Sequence, residues 1–188
     1  MKKKIVVLIS GRGSNLQSII NATKEANYPA TVSLVVSDNS KAQGLNIAKD
    51  NGIDNFIVER ISYDNKSEFE NNLIEKIIQY DPHLVCLAGF TRVLSSGFVE
   101  KFKGKIINIH PSLLPKYKGL NTYERAINSG DKYSGCTVHY VNDELDGGEI
   151  IAQKKVVITS DDTVDTLRKK ILEHEHKLYP NTIKTLLS

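Results

Sequence analysis

Asn108-Ile109-His110 carries an amide and an imidazole two residues apart at the end of an apolar run, with Pro111 immediately after. Side chains two apart on a strand share a face, so both groups point the same way. An amide N–H donates to a developing oxyanion, and an imidazole does the same when protonated or otherwise carries protons. The competing reading is a structural histidine capping a strand end. Asp143-Glu144-Leu145-Asp146-Gly147-Gly148 shifts the balance, because it offers three carboxylates in a loop between two strands. A carboxylate beside an imidazole favours the charged ring. The paired glycines would let this loop pack tightly over a ligand; the alternative is a solvated hairpin turn, which acidic-Gly sequences commonly form. The spacing matches no calcium loop.

A second cluster, Gly11-Arg12-Gly13-Ser14-Asn15, follows an apolar run and opens a helical pattern. Glycines let backbone N–H groups approach an anion, and the helix dipole adds to the attraction. The dinucleotide fingerprint needs a third glycine, but position 16 is Leu. Asp38, at the end of the next apolar run, keeps a nicotinamide-cofactor reading open, since an acidic residue there can bind a ribose. A tight strand-helix turn without a ligand is the plain alternative. His174 and His176 are two apart on a predicted helix and face different sides, so they do not suggest a shared metal. His139 reads as a core or supporting residue.

These groups need elements to position them. Lys3 to Ile9 reads as a first strand, and Ser14 to about Ala26 as a helix. Thr31 to Ser37 is a β-branched strand, Ala42 to Asn51 a helix stopped by Gly52, and Asn55 to Val58 a short strand. Asp64 is the expected N-cap of a helix to about Gln79, with Phe69, Leu73, Ile77 and Tyr80 on one stripe. His83 to Ala88 and Lys105 to Ile109 are continuous apolar runs, as in strands covered on both faces. Ser134 to Val141 and Glu149 to Ile158 are two strands with no helix between them. Thr163 to Tyr179 is a last helix that Pro180 ends or kinks. The fold class is therefore α/β: a doubly wound, mostly parallel Rossmann-like sheet with an antiparallel C-terminal addition. Ligands of such sheets bind beyond the carboxyl ends of the strands. Gly11–Asn15, Gly89–Leu94, Asn108–Pro115 and Asn142–Gly148 should converge there.

At 188 residues the chain suits one domain, 1–188, and a 40% hydrophobic, 25% charged composition is that of a globular protein. The net charge of +3 is too weak to argue for nucleic acid but does not repel anionic metabolites. The apolar part of the N-terminal stretch is too short for a signal sequence, and no run approaches the ~20 residues of a membrane span. Cys86 and Cys136 stand far apart without metal-ligand spacing, which points to a reducing, cytoplasmic setting.

Gly11-Arg12-Gly13-Ser14-Asn15-Leu16-Gln17, Leu87-Ala88-Gly89-Phe90-Thr91-Arg92-Val93-Leu94, Asn108-Ile109-His110-Pro111-Ser112-Leu113-Leu114-Pro115 and Asp143-Glu144-Leu145-Asp146-Gly147-Gly148, in this order, resemble the glycinamide ribonucleotide formyltransferases. The resemblance runs from Lys4 to about Pro180. It implies formyl transfer from 10-formyltetrahydrofolate to the amine of glycinamide ribonucleotide, without a metal. It implies Asn108, His110 and Asp146 as the catalytic set. Gly11, Arg12, Gly13, Ser14 and Asn15 would bind the ribonucleotide phosphate, and Glu175 would orient the amine substrate. Thr91, Arg92, Val93 and Leu94 would hold the folate ring by backbone contacts, with Asn108, Asn142 and Asp146 in the same pocket and Lys66 as a further basic contact. Thr91 and Asn121 stand where methionine and histidine are common in the family. No nucleic acid or membrane partner is expected, and the chain would be a monomer or weak homodimer. The rival readings are a 10-formyltetrahydrofolate hydrolase and a non-catalytic folate- or nucleotide-binding protein. The hydrolase and the related methionyl-tRNA formyltransferase typically carry an extra domain that 188 residues do not accommodate.

Overall fold

The computed structural model describes the chain from Met1 to Ser188. Seven strands form one sheet: β1 (Lys3–Ile9), β2 (Ala30–Ser37), β3 (Asn55–Ile57), β4 (Leu84–Leu87), β5 (Ile106–His110), β6 (Tyr133–Tyr140) and β7 (Ile150–Val157). Six α-helices cover it: α1 (Ser14–Thr23), α2 (Gly44–Asp50), α3 (Lys66–Ile78), α4 (Ser96–Lys101), α5 (Thr122–Asn128) and α6 (Val164–Leu187). The spatial order is β3-β2-β1-β4-β5-β6-β7. The first five strands run parallel, and β6 and β7 add antiparallel to β5. The doubly wound sheet with an antiparallel addition is therefore the architecture of the molecule.

The apolar runs follow from burial on both faces. Ile5, Val7 and Ile9 of β1 pack with Leu16, Ile19 and Ile20 of α1 and with Tyr179 and Ile183 of α6. Val6 and Leu8 point the other way, onto Phe69, Leu73 and Ile77 of α3 and Phe98 of α4. The strand alternates sides, yet both sides are apolar, so no polar residue interrupts it.

Several boundaries differ from the sequence reading. α1 ends at Thr23, and α2 begins at Gly44. The cap of α3 is Asn65, not Asp64: its side chain accepts from the Glu68 backbone N–H. α4 and α5 were not expected, because each is under eight residues and too short to display a periodic stripe. α6 runs through Pro180 to Leu187. Proline there removes the bond to the carbonyl of residue 176, a cost of ~3 kcal/mol in a helix interior. Burial of Tyr179, Ile183 and Leu187, one turn apart on the core face, offsets it. Thr163 caps the helix and exchanges bonds with Thr166. No helix is long and apolar enough to cross a membrane.

The strand order reverses between β1 and β4, which opens a crevice at their carboxyl ends. Ser10 and Gly89 meet there, the Ser10 N–H donating to the Gly89 carbonyl at 3.2 Å.

Candidate functional site

A cleft of about 410 Å³ opens at that sheet edge, within the range of small-molecule sites. Thr91, Arg92, Val93, Leu94, Asn108, His110, Asn142 and Asp146 all line it. The β4–α4 connection supplies the first four, the end of β5 the next two, and the β6–β7 loop the last two. Phe90, Val93, Leu94, Val141 and Leu145 make much of the wall apolar. The backbone N–H groups of Arg92, Val93 and Leu94 form no hydrogen bond within the protein. An apolar slot edged by free backbone donors suits a flat, polar-edged ring.

The amide and imidazole share a face of β5, as period two requires. His110 is 5% exposed. Its Nε2 lies 2.8 Å from the Tyr117 carbonyl oxygen, and its Nδ1 lies 3.4 Å from Oδ2 of Asp146. A carbonyl only accepts, so Nε2 carries a proton. With a carboxylate facing the other nitrogen, a doubly protonated ring satisfies both neighbours. Asp146 sits at φ 48°, in the left-handed region, and its Oδ2 also accepts from the Gly119 N–H at 2.8 Å. The loop glycines are needed by the fold of the loop itself. A Cβ on Gly148 would lie 1.7 Å from the Tyr140 carbonyl oxygen, and one on Gly147 would lie 2.5 Å from Cβ of Glu144. They let the loop fold onto its own strand and thereby fix Asp146.

His139 takes the supporting place expected of it, and the structure shows what it supports. The antiparallel register sets it directly opposite Asn108. Its Nδ1 is 2.8 Å from the Tyr140 carbonyl oxygen, and its Nε2 is 3.2 Å from Nδ2 of Asn108. Burial holds its pKa below the ordinary imidazole value, against the pull of the Tyr140 carbonyl and Asp146. In the neutral ring Nδ1–H donates to Tyr140, so Nε2 accepts from the Asn108 amide and fixes which end of that amide is the donor. The only sequence signal was an imidazole on the strand following the Asn108–His110 turn.

The Gly11–Asn15 turn follows β1 at the same sheet edge, beside this cleft and outside its lining. It reaches the cleft through Ser10, whose Oγ accepts from the Thr91 N–H at 2.9 Å. Gly13 has φ 80°, and a Cβ there would lie 2.6 Å from Cα of Gly44. The two glycines thus allow α1 and α2 to touch at their starts. No side chain caps α1, so its first N–H groups face outward. Gly11 and Arg12 are exposed, Ser14 is half-buried and Asn15 is buried. Nδ2 of Asn15 donates to Glu175 at 2.8 Å, and Oδ1 of Asn15 is buried without a partner. Burial pushes the Glu175 carboxyl up to about 7, and the bond from Asn15 only partly opposes it. Tyr123, which lines the cleft, has its phenol pushed up mainly by burial and also by the charge of Glu175, so this corner adjoins the cleft.

Lys66 does not reach the cleft; its Nζ pairs with Glu70 at 3.7 Å on the exposed start of α3. Leu114-Pro115 is a cis peptide. No group of three or more His, Cys, Asp or Glu side chains is placed to hold a metal ion. Asp38 is occupied by Arg92, its Oδ2 lying 2.5 Å from Nε, so it is not available to a dinucleotide ribose.

An amide, an imidazole and a carboxylate at the mouth of a doubly wound sheet suit acyl-group chemistry between small molecules, and the relatives bear on this directly. The chain belongs to the formyl transferase family, whose model matches residues 3–183. Within the family it is similar to phosphoribosylglycinamide formyltransferase of Escherichia coli, with 45% identity over 179 residues, 95% of this chain and 84% of that protein. The crystal structure of phosphoribosylglycinamide formyltransferase from Brucella melitensis superposes with a TM-score of 0.96 at 38% identity, covering 100% of this chain and 97% of that one. The trifunctional purine biosynthetic protein adenosine-3 of Homo sapiens is 41% identical over 187 residues, and the chain spans 18% of that protein's length.

Proposed function

We propose that this chain is a single-domain phosphoribosylglycinamide formyltransferase that moves a formyl group from 10-formyltetrahydrofolate to the amine of glycinamide ribonucleotide, in the cytoplasm, as a monomer or weak homodimer without nucleic-acid or membrane partners. The observation that carries the reading is the meeting of Asn108, His110 and Asp146 in one cleft of a formyl transferase fold. The donor's ring would occupy the slot along Thr91–Leu94 and meet the free N–H groups of Arg92, Val93 and Leu94; Asn142 would wall the same slot. The ribonucleotide phosphate would sit at the outward N–H groups of α1 in the Gly11–Asn15 turn, where the helix dipole favours an anion. Glu175 would take part from the adjoining corner by orienting the substrate amine.

Attack of the amine on the formyl carbon puts negative charge on the formyl oxygen. Asn108, through the Nδ2–H not given to His139, would donate to that oxygen, and the His110 Nδ1–H would share its bond between the oxygen and Asp146, a stabilisation worth ~10²–10³ in rate per donor. Asp146 would keep His110 charged and oriented, and would pass the proton that the amine releases through water to the leaving nitrogen of the folate as the bond from that nitrogen to the formyl carbon breaks. Phosphate binding at a distance from the reacting carbon would serve orientation.

The test is a spectrophotometric assay with 10-formyl-5,8-dideazafolate as donor, with and without glycinamide ribonucleotide. Deformylation only with the ribonucleotide is the expected result. Ribonucleotide-independent deformylation would establish the hydrolase instead, and no deformylation would leave a binding protein.

A further inference from the structure

We propose that Asp38 is a positioning residue for the formyl donor: it anchors Arg92 and thereby sets the Thr91–Leu94 wall of the cleft. The inference rests on the donor reading of that wall given above. Asp38 directly follows β2, one strand outward from the crevice between β1 and β4. Its side chain is 1% exposed, its Oδ2 lies 2.5 Å from Arg92 Nε, and its Oδ1 is buried without a partner.

Local structure does not demand a carboxylate at this position. The turn after β2 is already held by Ser37, whose Oγ accepts from the Asn39 N–H, and by Asn39, whose Nδ2 donates to the Ser10 carbonyl. A buried carboxylate is unfavourable unless a cation compensates it. The compensating cation comes from across the crevice, 54 residues along the chain.

That cation belongs to a segment with few other ties. The wall is fixed upstream where the Thr91 N–H meets Ser10 Oγ, and downstream where the Ser95 N–H meets Glu70 Oε1 at 2.8 Å. Between those points the Arg92 side chain makes the segment's polar bond to the body of the protein, while the N–H groups of Arg92, Val93 and Leu94 stay unbonded. Arg92 also lines the cleft, with its side chain 45% exposed. Asp38 thus fixes a guanidinium and three backbone donors relative to β1 without touching the reacting centre.

The test compares the parent enzyme with Asp38→Ala, Asp38→Asn, Arg92→Ala and the Asp38→Ala/Arg92→Ala double variant. Steady-state kinetics with each substrate varied, calorimetric affinity for 10-formyl-5,8-dideazafolate and melting temperature are measured for each. A charge-assisted bond of this kind implies a rise of about 10- to 100-fold in donor KM and dissociation constant for Asp38→Ala. The ribonucleotide KM should stay within about two-fold and kcat within about three-fold. Asp38→Asn keeps an acceptor for Arg92 and should recover much of the affinity. The double variant should lose no more donor affinity than Arg92→Ala alone, because Asp38 acts through Arg92. Unchanged donor affinity in Asp38→Ala would overturn the inference, as would a uniform loss of kcat and both KM values. If the parent protein binds the donor yet forms no formylated ribonucleotide, the functional reading fails while the calorimetric series still decides the role of Asp38. If the parent protein binds no donor, both fail.

Discussion

Asn108 Nδ2 lies 3.2 Å from Nε2 of His139, directly across the β5–β6 ladder, and that contact decides which end of the Asn108 amide is the donor. His139 accepts only while neutral, and burial keeps it so by holding its pKa below the ordinary imidazole value. His139→Leu should therefore free the amide to turn and lower kcat by about ten-fold, with both KM values changed little. Steady-state kinetics of that variant check it; a kcat within two-fold of the parent would mean that Asn108 is held by something else.

His110 bears a heavier load. Its two nitrogens face Tyr117 and Asp146, so replacing it removes the imidazole donor and leaves Asp146 without its partner. His110→Ala should lower turnover by about 10²–10⁴-fold while donor affinity, proposed above to come from the Thr91–Leu94 wall, stays near that of the parent. Calorimetry alongside the assay separates the two. Full activity in this variant would remove the proposed mechanism.

Much of this arrangement was legible in the sequence because it rests on short-range rules. Period two places Asn108 beside His110, and the strand-helix alternation places their turn at the ligand-binding edge. What the sequence did not display is register. Asn108 and His139 are 31 residues apart, and their pairing depends on how β6 seats on β5. A one-residue slip would put His139 on the other face. The Gly13–Gly44 contact depends likewise on long-range packing, so Gly13 read as a phosphate glycine or a tight-turn glycine and not as a helix-contact glycine. Lys66 came from the family resemblance alone, and it pairs with Glu70 one turn on, outside the cleft lining.

Gly13 tests that closeness. Alanine there must adopt φ 80° and bring a Cβ within 2.6 Å of the Gly44 backbone. The left-handed conformation costs about 1–2 kcal/mol and overpacking about 1–3 kcal/mol more. Gly13→Ala should lower thermal stability accordingly and weaken ribonucleotide binding, because the outward N–H groups of α1 move with it. Melting curves and the ribonucleotide KM report the two effects, and a variant as stable as the parent would contradict the packing described.

Glu175 predicts a pH dependence of stability. Its carboxyl is pushed up to about 7 by burial, above the 4.5 of an unperturbed glutamic acid. The folded chain therefore keeps this proton where the unfolded chain has lost it. The stabilisation is complete below about pH 4.5 and disappears as the pH rises through about 7, on the order of 3 kcal/mol in all. Glu175→Gln retains an acceptor for Asn15 and carries no charge. Its melting temperature should rise relative to the parent between about pH 5 and about pH 8; a constant difference would show that Glu175 titrates normally.

Thr137 links stability to the histidine proposed as catalytic, His110. It lies opposite His110 in the β5–β6 register. Its Oγ1 donates to the Ser112 carbonyl at 2.7 Å and accepts from the Leu114 N–H at 3.1 Å and from Gln153 at 2.9 Å. Gln153 also donates to the Leu114 carbonyl at 2.8 Å. These bonds hold the loop that runs on to Tyr117, whose carbonyl holds His110. Thr137→Val keeps the shape but strands a buried N–H and weakens the hold on the loop. Each unpaired buried group costs about 1–3 kcal/mol. The variant should melt lower and lose about ten-fold in kcat as His110 loses its fixed orientation. Thr137→Ser restores the hydroxyl and should recover most of both, whereas recovery of stability without kcat would separate the loop from the histidine.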